Sequence, residues 1–112
     1  MSIKLAGYLF TGPFPLDTTE VRANQAPVVY AVVAKGGQSW APIFRVVDLG
    51  VSPEQGLRFA DHPCRTNWVA EHGESLSIYL FYAPRSAYSL TDREEMAARL
   101  RGQYDPPRGF VA

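Results

Sequence analysis

The chain has 112 residues, of which 46% are hydrophobic and 20% charged. That is ordinary for one globular domain with a modest core, and it excludes a disordered chain. Eleven basic residues balance eleven acidic ones, so there is no whole-chain basic field of the kind that holds nucleic acid by charge alone.

The opening residues 1–15 make a poor signal peptide. Gly7, Gly12 and Pro13 interrupt a short apolar stretch, and no clear cleavage site follows. Residues 3–10 read as a short strand and residues 11–26 as a polar, Pro-containing connection, so that 1–26 is an N-terminal extension. Residues 28–34 form the longest unbroken apolar run. It falls far short of the ~20 residues that cross a bilayer as a helix, so no membrane partner is expected. The density of Val and Tyr in this run predicts a buried strand. Lys35-Gly36-Gly37-Gln38 reads as a turn. Residues 43–47 read as the next strand, antiparallel to the first through a loop longer than a tight hairpin.

Ser52-Pro53-Glu54 has the form of a helix start: a Ser N-cap, Pro at the first position and an acid in the first turn. The predicted helix carries Leu57, Arg58 and Asp61 and stops before Pro63. Residues 67–72 read as irregular or as a short helical turn around Trp68. Residues 77–83 are a third central strand, in which Tyr79, Phe81 and Tyr82, like Trp68, are expected to pack the sheet. Thr91-Asp92-Arg93-Glu94 has capping-box spacing and predicts a helix to about Tyr104, halted by Pro106 and Pro107. The order β, β, β, α, β, α implies a single α/β domain of the α+β kind, with a small, mostly antiparallel sheet flanked by helices.

The order of motifs carries a resemblance. A Val-Val-Tyr strand containing Tyr30 precedes Asp48-Leu49-Gly50. Gly50 is followed eight residues later by Arg58 and four further by His62, with Trp68 beyond. A last helix presents Arg93, Met96, Ala97, Leu100 and Tyr104. Over residues 27–109 this series resembles the GIY-YIG nuclease superfamily. The Tyr30 strand stands where that family has Gly-Ile-Tyr, and Asp48-Leu49-Gly50 where it has Tyr-Ile-Gly. The resemblance implies a fold of that type. It also implies a site in which a Glu on the last helix holds one divalent cation, a Tyr helps to activate water, and an Arg steadies charge on the scissile phosphate. Tyr30, Arg58 and His62 are the catalytic remnants, and Arg58 and Arg65 the candidate substrate contacts. The departures are equally specific: Asp48 replaces the second Tyr, Ala97 the metal-binding Glu, and Gly109 the closing Asn.

A hard cation needs carboxylate oxygen, so loss of that Glu implies no resident metal and no catalysis. Asp48 or Glu94, with Mg2+, is the fallback ligand if activity survives. Each residue also has a plainer reading. Glu94 would close the capping box with Thr91, and Glu95 would be a solvated charge. Asp48 would cap a turn, Arg58 would pair with Asp48 or Asp61, and His62 would sit at a helix C-terminus. Tyr30 would be core and His72 a loop residue. Two histidines and one cysteine, Cys64, make no metal site and no disulfide, which fits a reducing cytoplasm. The expected function is therefore a degenerate binding or regulatory module with a nucleic-acid or protein partner. The rivals are a divergent nuclease and an unrelated interaction domain, monomeric or weakly dimeric through an edge strand.

Overall fold

The structure, a computed structural model, describes residues 2–38, 40–73, 75–104 and 109–110. The strands are β1 (Ser2–Leu5), β2 (Tyr8–Pro15), β3 (Glu20–Arg22), β4 (Val28–Gln38), β5 (Ala41–Val51), β6 (Gly56–Arg58), β7 (Leu76–Tyr82) and β8 (Gly109–Phe110). Two helices, α1 (Arg65–His72) and α2 (Leu90–Tyr104), and a 3-10 turn at Phe59–Asp61 complete the α+β fold. Six strands form one antiparallel sheet in the order β1-β2-β7-β4-β5-β8, and β3 pairs with β6 in a separate ribbon. No described helix is long and apolar enough to cross a membrane.

Strand alternation divides the core in two. Val29, Ala31 and Val33 of β4 and Tyr79 of β7 face α2, which closes that side with Met96, Ala97 and Leu100. Val28, Tyr30, Val32 and Ala34 of β4 face the other way, with Ile78 and Leu80 of β7. Phe59 and Trp68 close that second side. A bulge interrupts the β4–β5 ladder: Val32 pairs with Asp48, but Val33 already pairs with Val46. The extra residue, Val47, shifts the phase of β5. Val46 and Leu49 both join the α2 side, while Val47 packs against the second cluster.

Several expectations from sequence are corrected. Residues 3–10 are a hairpin rather than one strand. Ala6 and Gly7 both have positive φ, as a two-residue turn between right-twisted strands requires. Residues 11–26 hold the rest of β2 and all of β3. The β4–β5 ladder runs through the expected turn at Lys35 to the pair Gln38↔Ala41, so the connection is shorter than expected. No helix starts at Ser52. Its hydroxyl instead accepts the Val28 N–H across the sheet at 3.0 Å, and Gly56 at φ +91 turns the chain into β6. A Cβ on Gly56 would lie 2.5 Å from the Val21 carbonyl oxygen, so the ribbon requires glycine there.

Residues 65–72 are a regular α-helix that ends on His72. Trp68 therefore packs from a helix, and Tyr82 is half exposed. The α2 capping box is two residues earlier than Thr91. The Asp92 N–H donates to Ser89 Oγ at 3.0 Å, and the Ser89 N–H donates to Asp92 Oδ2 at 2.9 Å. Glu94 and Glu95 are exposed on α2. The described part of α2 runs to Tyr104, and Pro106 and Pro107, the expected stop, lie outside the described residues.

Candidate functional site

The sheet face opposite α2 carries a cluster of polar side chains. β4 supplies Tyr30, β5 supplies Asp48 and Gly50, and the segment after the 3-10 turn supplies His62. Trp68 enters from α1. Tyr30 pairs with Gly50 in the ladder, and its ring lies across that glycine. A Cβ on Gly50 would come within 2.3 Å of the phenol oxygen. Glycine at position 50 is thus what lets Tyr30 lie flat against β5. Phe59 meets the Tyr30 ring edge-on at 5.0 Å.

His62 is held on three sides. Its Nε2 lies 2.8 Å from Tyr30 Oη, its Nδ1 accepts the Cys64 N–H at 3.0 Å, and its ring stacks at 4.3 Å on Trp68. Because Nδ1 accepts a backbone donor, the neutral ring carries its proton on Nε2 and donates it to Tyr30 Oη. Burial pushes the His62 pKa below its usual 6.5, with the charge of Asp48 acting in the opposite direction. Burial also pushes the Tyr30 phenol up to about 12, aided by Asp48 and opposed by Arg101. Both groups are therefore neutral near pH 7.

Asp48 is fully engaged as well. Its Oδ2 accepts Trp68 Nε1–H at 3.1 Å, and its Oδ1 accepts the Leu49 N–H at 2.8 Å. Arg101 of α2 reaches the same strand and donates twice to the Leu49 carbonyl, at 3.0 and 2.6 Å.

The structure thus brings together Tyr30, Gly50 and His62 from the predicted set, with Asp48 beside them. It does not bring Arg58 with them. That side chain is 74% exposed on β6 and faces Glu20 at 3.8 Å and Asp61 at 3.9 Å. The expected Arg58–Asp61 pairing exists, while the alternative pairing of Arg58 with Asp48 is replaced by the Asp48–Trp68 bond. Arg65 opens α1 and is bound to Asp17. Ala97 is fully buried in the α2 core, on the opposite side of the sheet from Tyr30 and His62. Arg93, Met96 and Leu100 share its buried helix face, as their spacing predicts.

Sequence reading missed the tie between Trp68 and Asp48 and the reach of Arg101. Arg101 lies one helical turn beyond Ala97, a spacing that places it near the same face. The Trp68 tie follows from the bulge, for which the sequence has no marker. Among the described residues no three His, Cys, Asp or Glu side chains group as metal ligands. Compared with protein-family models, curated proteins and solved structures, the chain matches none.

Proposed function

We propose that this chain is a GIY-YIG-like domain that binds a partner and does not cleave phosphodiesters. The observation that carries the reading is the internal engagement of the polar cluster. Both Asp48 oxygens and both His62 ring nitrogens already bond to groups of the protein. A general base needs a free nitrogen aimed at its substrate, and a metal ligand needs an oxygen aimed into a cleft. Here the same atoms tie β4, β5 and α1 together. Ala97 does not share a cleft with Tyr30 and His62, as the position of the family's Glu would require, but lies in hydrocarbon on the other face of the sheet, so it adds no ligand to the cluster and lends the resemblance no support.

A protein partner is favoured over nucleic acid. Arg58 and Arg65, the candidate phosphate contacts, are both paired with carboxylates, and the net charge is zero. The test is incubation of purified protein with supercoiled plasmid and with RNA, in Mg2+ and in Mn2+. The expected result is no cleavage above a metal-free control. Metal-dependent cleavage that disappears in Arg58→Ala overturns the reading, and dependence on Asp48 or Glu94 would identify a divergent nuclease.

A further inference from the structure

On the α2 side of the sheet, away from that cluster, lies a depression of about 220 Å³. One wall is aromatic. Tyr8 comes from the start of β2 and Tyr88 from the loop before α2. Both rings stand edge-on to Phe81, at 5.5 and 5.8 Å. The Tyr88 carbonyl also accepts a bond from the buried guanidinium of Arg93 at 2.9 Å. This wall is therefore held in place before anything binds. The other wall is a stripe of α2, made by Asp92, Glu95, Met96 and Arg99. Their spacing of three and four residues puts all four on one face of the helix.

The charges in this stripe are not matched to each other. Glu95 precedes Arg99 by four residues, the order in which such a pair closes best on a helix. Arg99 instead donates from Nη1 to the Tyr8 hydroxyl at 3.1 Å. Among the described residues Glu95 has no hydrogen-bond or ion-pair partner, and no carboxylate pairs with Arg99. Asp92 gives Oδ2 to the Ser89 N–H and keeps Oδ1 free of the described residues. Unmatched acid and base thus line one concavity, beside two phenol rings and the Met96 thioether. A simple anion would be repelled there by Asp92 and Glu95, and a simple cation by Arg99. A molecule that carries both charges on one carbon suits all three.

We infer that this depression is a binding site for a free α-amino acid with an apolar side chain. Its ammonium group meets Glu95 and the second oxygen of Asp92, and its carboxylate meets the Arg99 guanidinium. Its side chain lies against Tyr8, Tyr88 and Met96. The volume, below the range of roughly 300–1,000 Å³ for ordinary small-molecule sites, admits a ligand of that size and little more. A residue inside a peptide carries neither charge, so the site selects the free amino acid. No residue of the Tyr30–His62 cluster lines it. The site therefore stands or falls independently of the function proposed above.

The test is an NMR titration of the full chain, following the backbone N–H of Glu95 and the side-chain N–H of Arg99. The probes are leucine, glycine, N-acetyl-leucine, which lacks the ammonium, and isoamylamine, which lacks the carboxylate. Leucine is expected to shift both signals saturably, with a dissociation constant of about 1–10 mM. It should bind about fivefold tighter than glycine, through its side chain, and about tenfold tighter than either single-charge analogue. Glu95→Gln and Arg99→Gln should each weaken leucine binding about tenfold. Both residues are exposed on α2, so these variants test binding in a folded protein. Absence of saturable shifts at about 50 mM leucine overturns the inference. So does equal affinity for leucine and any of the other three probes, or leucine binding left unchanged by either substitution.

Discussion

The two sides of the sheet are closed in different ways. On one side a single 15-residue helix, α2, lays Met96, Ala97 and Leu100 onto Val29, Ala31 and Val33. Apolar area removed from water dominates that side, at about 1.5–3 kcal/mol for each large side chain. On the other side the cover is assembled from short pieces: a three-residue 3-10 turn, an eight-residue helix and a two-stranded ribbon. Elements of that length are not stable alone, and the hydrocarbon they bury comes from Val21, Phe59 and Trp68. Directed bonds supplement it, from Trp68 to Asp48 and from His62 to Tyr30. The comparison teaches that Tyr30, Asp48, His62 and Trp68 gather on the side of the sheet that is closed by short elements and directional bonds.

The difference can be broken from either side. The largest effect is expected on the hydrocarbon side: Leu100→Ala should lose about 2–5 kcal/mol in urea unfolding, because its site is fully buried and leaves a cavity. On the fastened side, Gly50→Ala should cost about 1–3 kcal/mol, since its methyl would overlap the Tyr30 phenol and push it off His62. A companion loss of the Tyr30–His62 bond should be visible as a changed His62 Nε2 chemical shift. At the start of α2, Ser89→Ala should cost about 1 kcal/mol and Thr91→Ala much less, because Ser89 is the residue that bonds Asp92. Equal costs would show that the cap lies elsewhere.

A smaller effect depends on pH. The folded pKa of His62 lies below its unfolded value of 6.5, so the unfolded chain takes up the proton first as pH falls. Stability from the neutral ring is complete above 6.5 and is lost as pH falls below it toward the folded pKa. The proton must go to Nδ1, which is already occupied by the Cys64 N–H. Subtracting the pH–stability curve of His62→Gln from that of the wild type should reveal this decline, and a flat difference would refute it. The smallest effect is Arg58→Ala, expected to change stability by less than about 0.5 kcal/mol, since both of its ion pairs are in water.

The parts legible in the sequence were those fixed by local pattern. The apolar run of β4, the strand β7 and the buried face of α2 at Arg93, Met96, Ala97 and Leu100 follow from periodicity and β-propensity. The proximity of Tyr30, Gly50 and His62 was accessible only through the resemblance. The false helix at Ser52 shows why the rest was hidden. Its signals were locally sound, but the Ser52 hydroxyl is taken by Val28, 24 residues away, and Gly56 must fit against Val21. The bulge at Val47 is similarly silent. One additional residue in β5 decides which way Asp48 faces, and strict alternation would have placed Asp48 and Val46 on the same side.

The clasp on Leu49 has one further consequence. Asp48 takes its N–H and Arg101 its carbonyl oxygen. A strand border with bare backbone groups is an invitation to any extended peptide, including a copy of the same chain in a crowded cell. Here two side chains from different elements occupy the main-chain groups that an incoming strand would need. Asp48, which the sequence offered as a fallback ligand or a turn cap, and Arg101, which it did not single out, thus leave the Leu49 backbone with nothing free to offer a further strand.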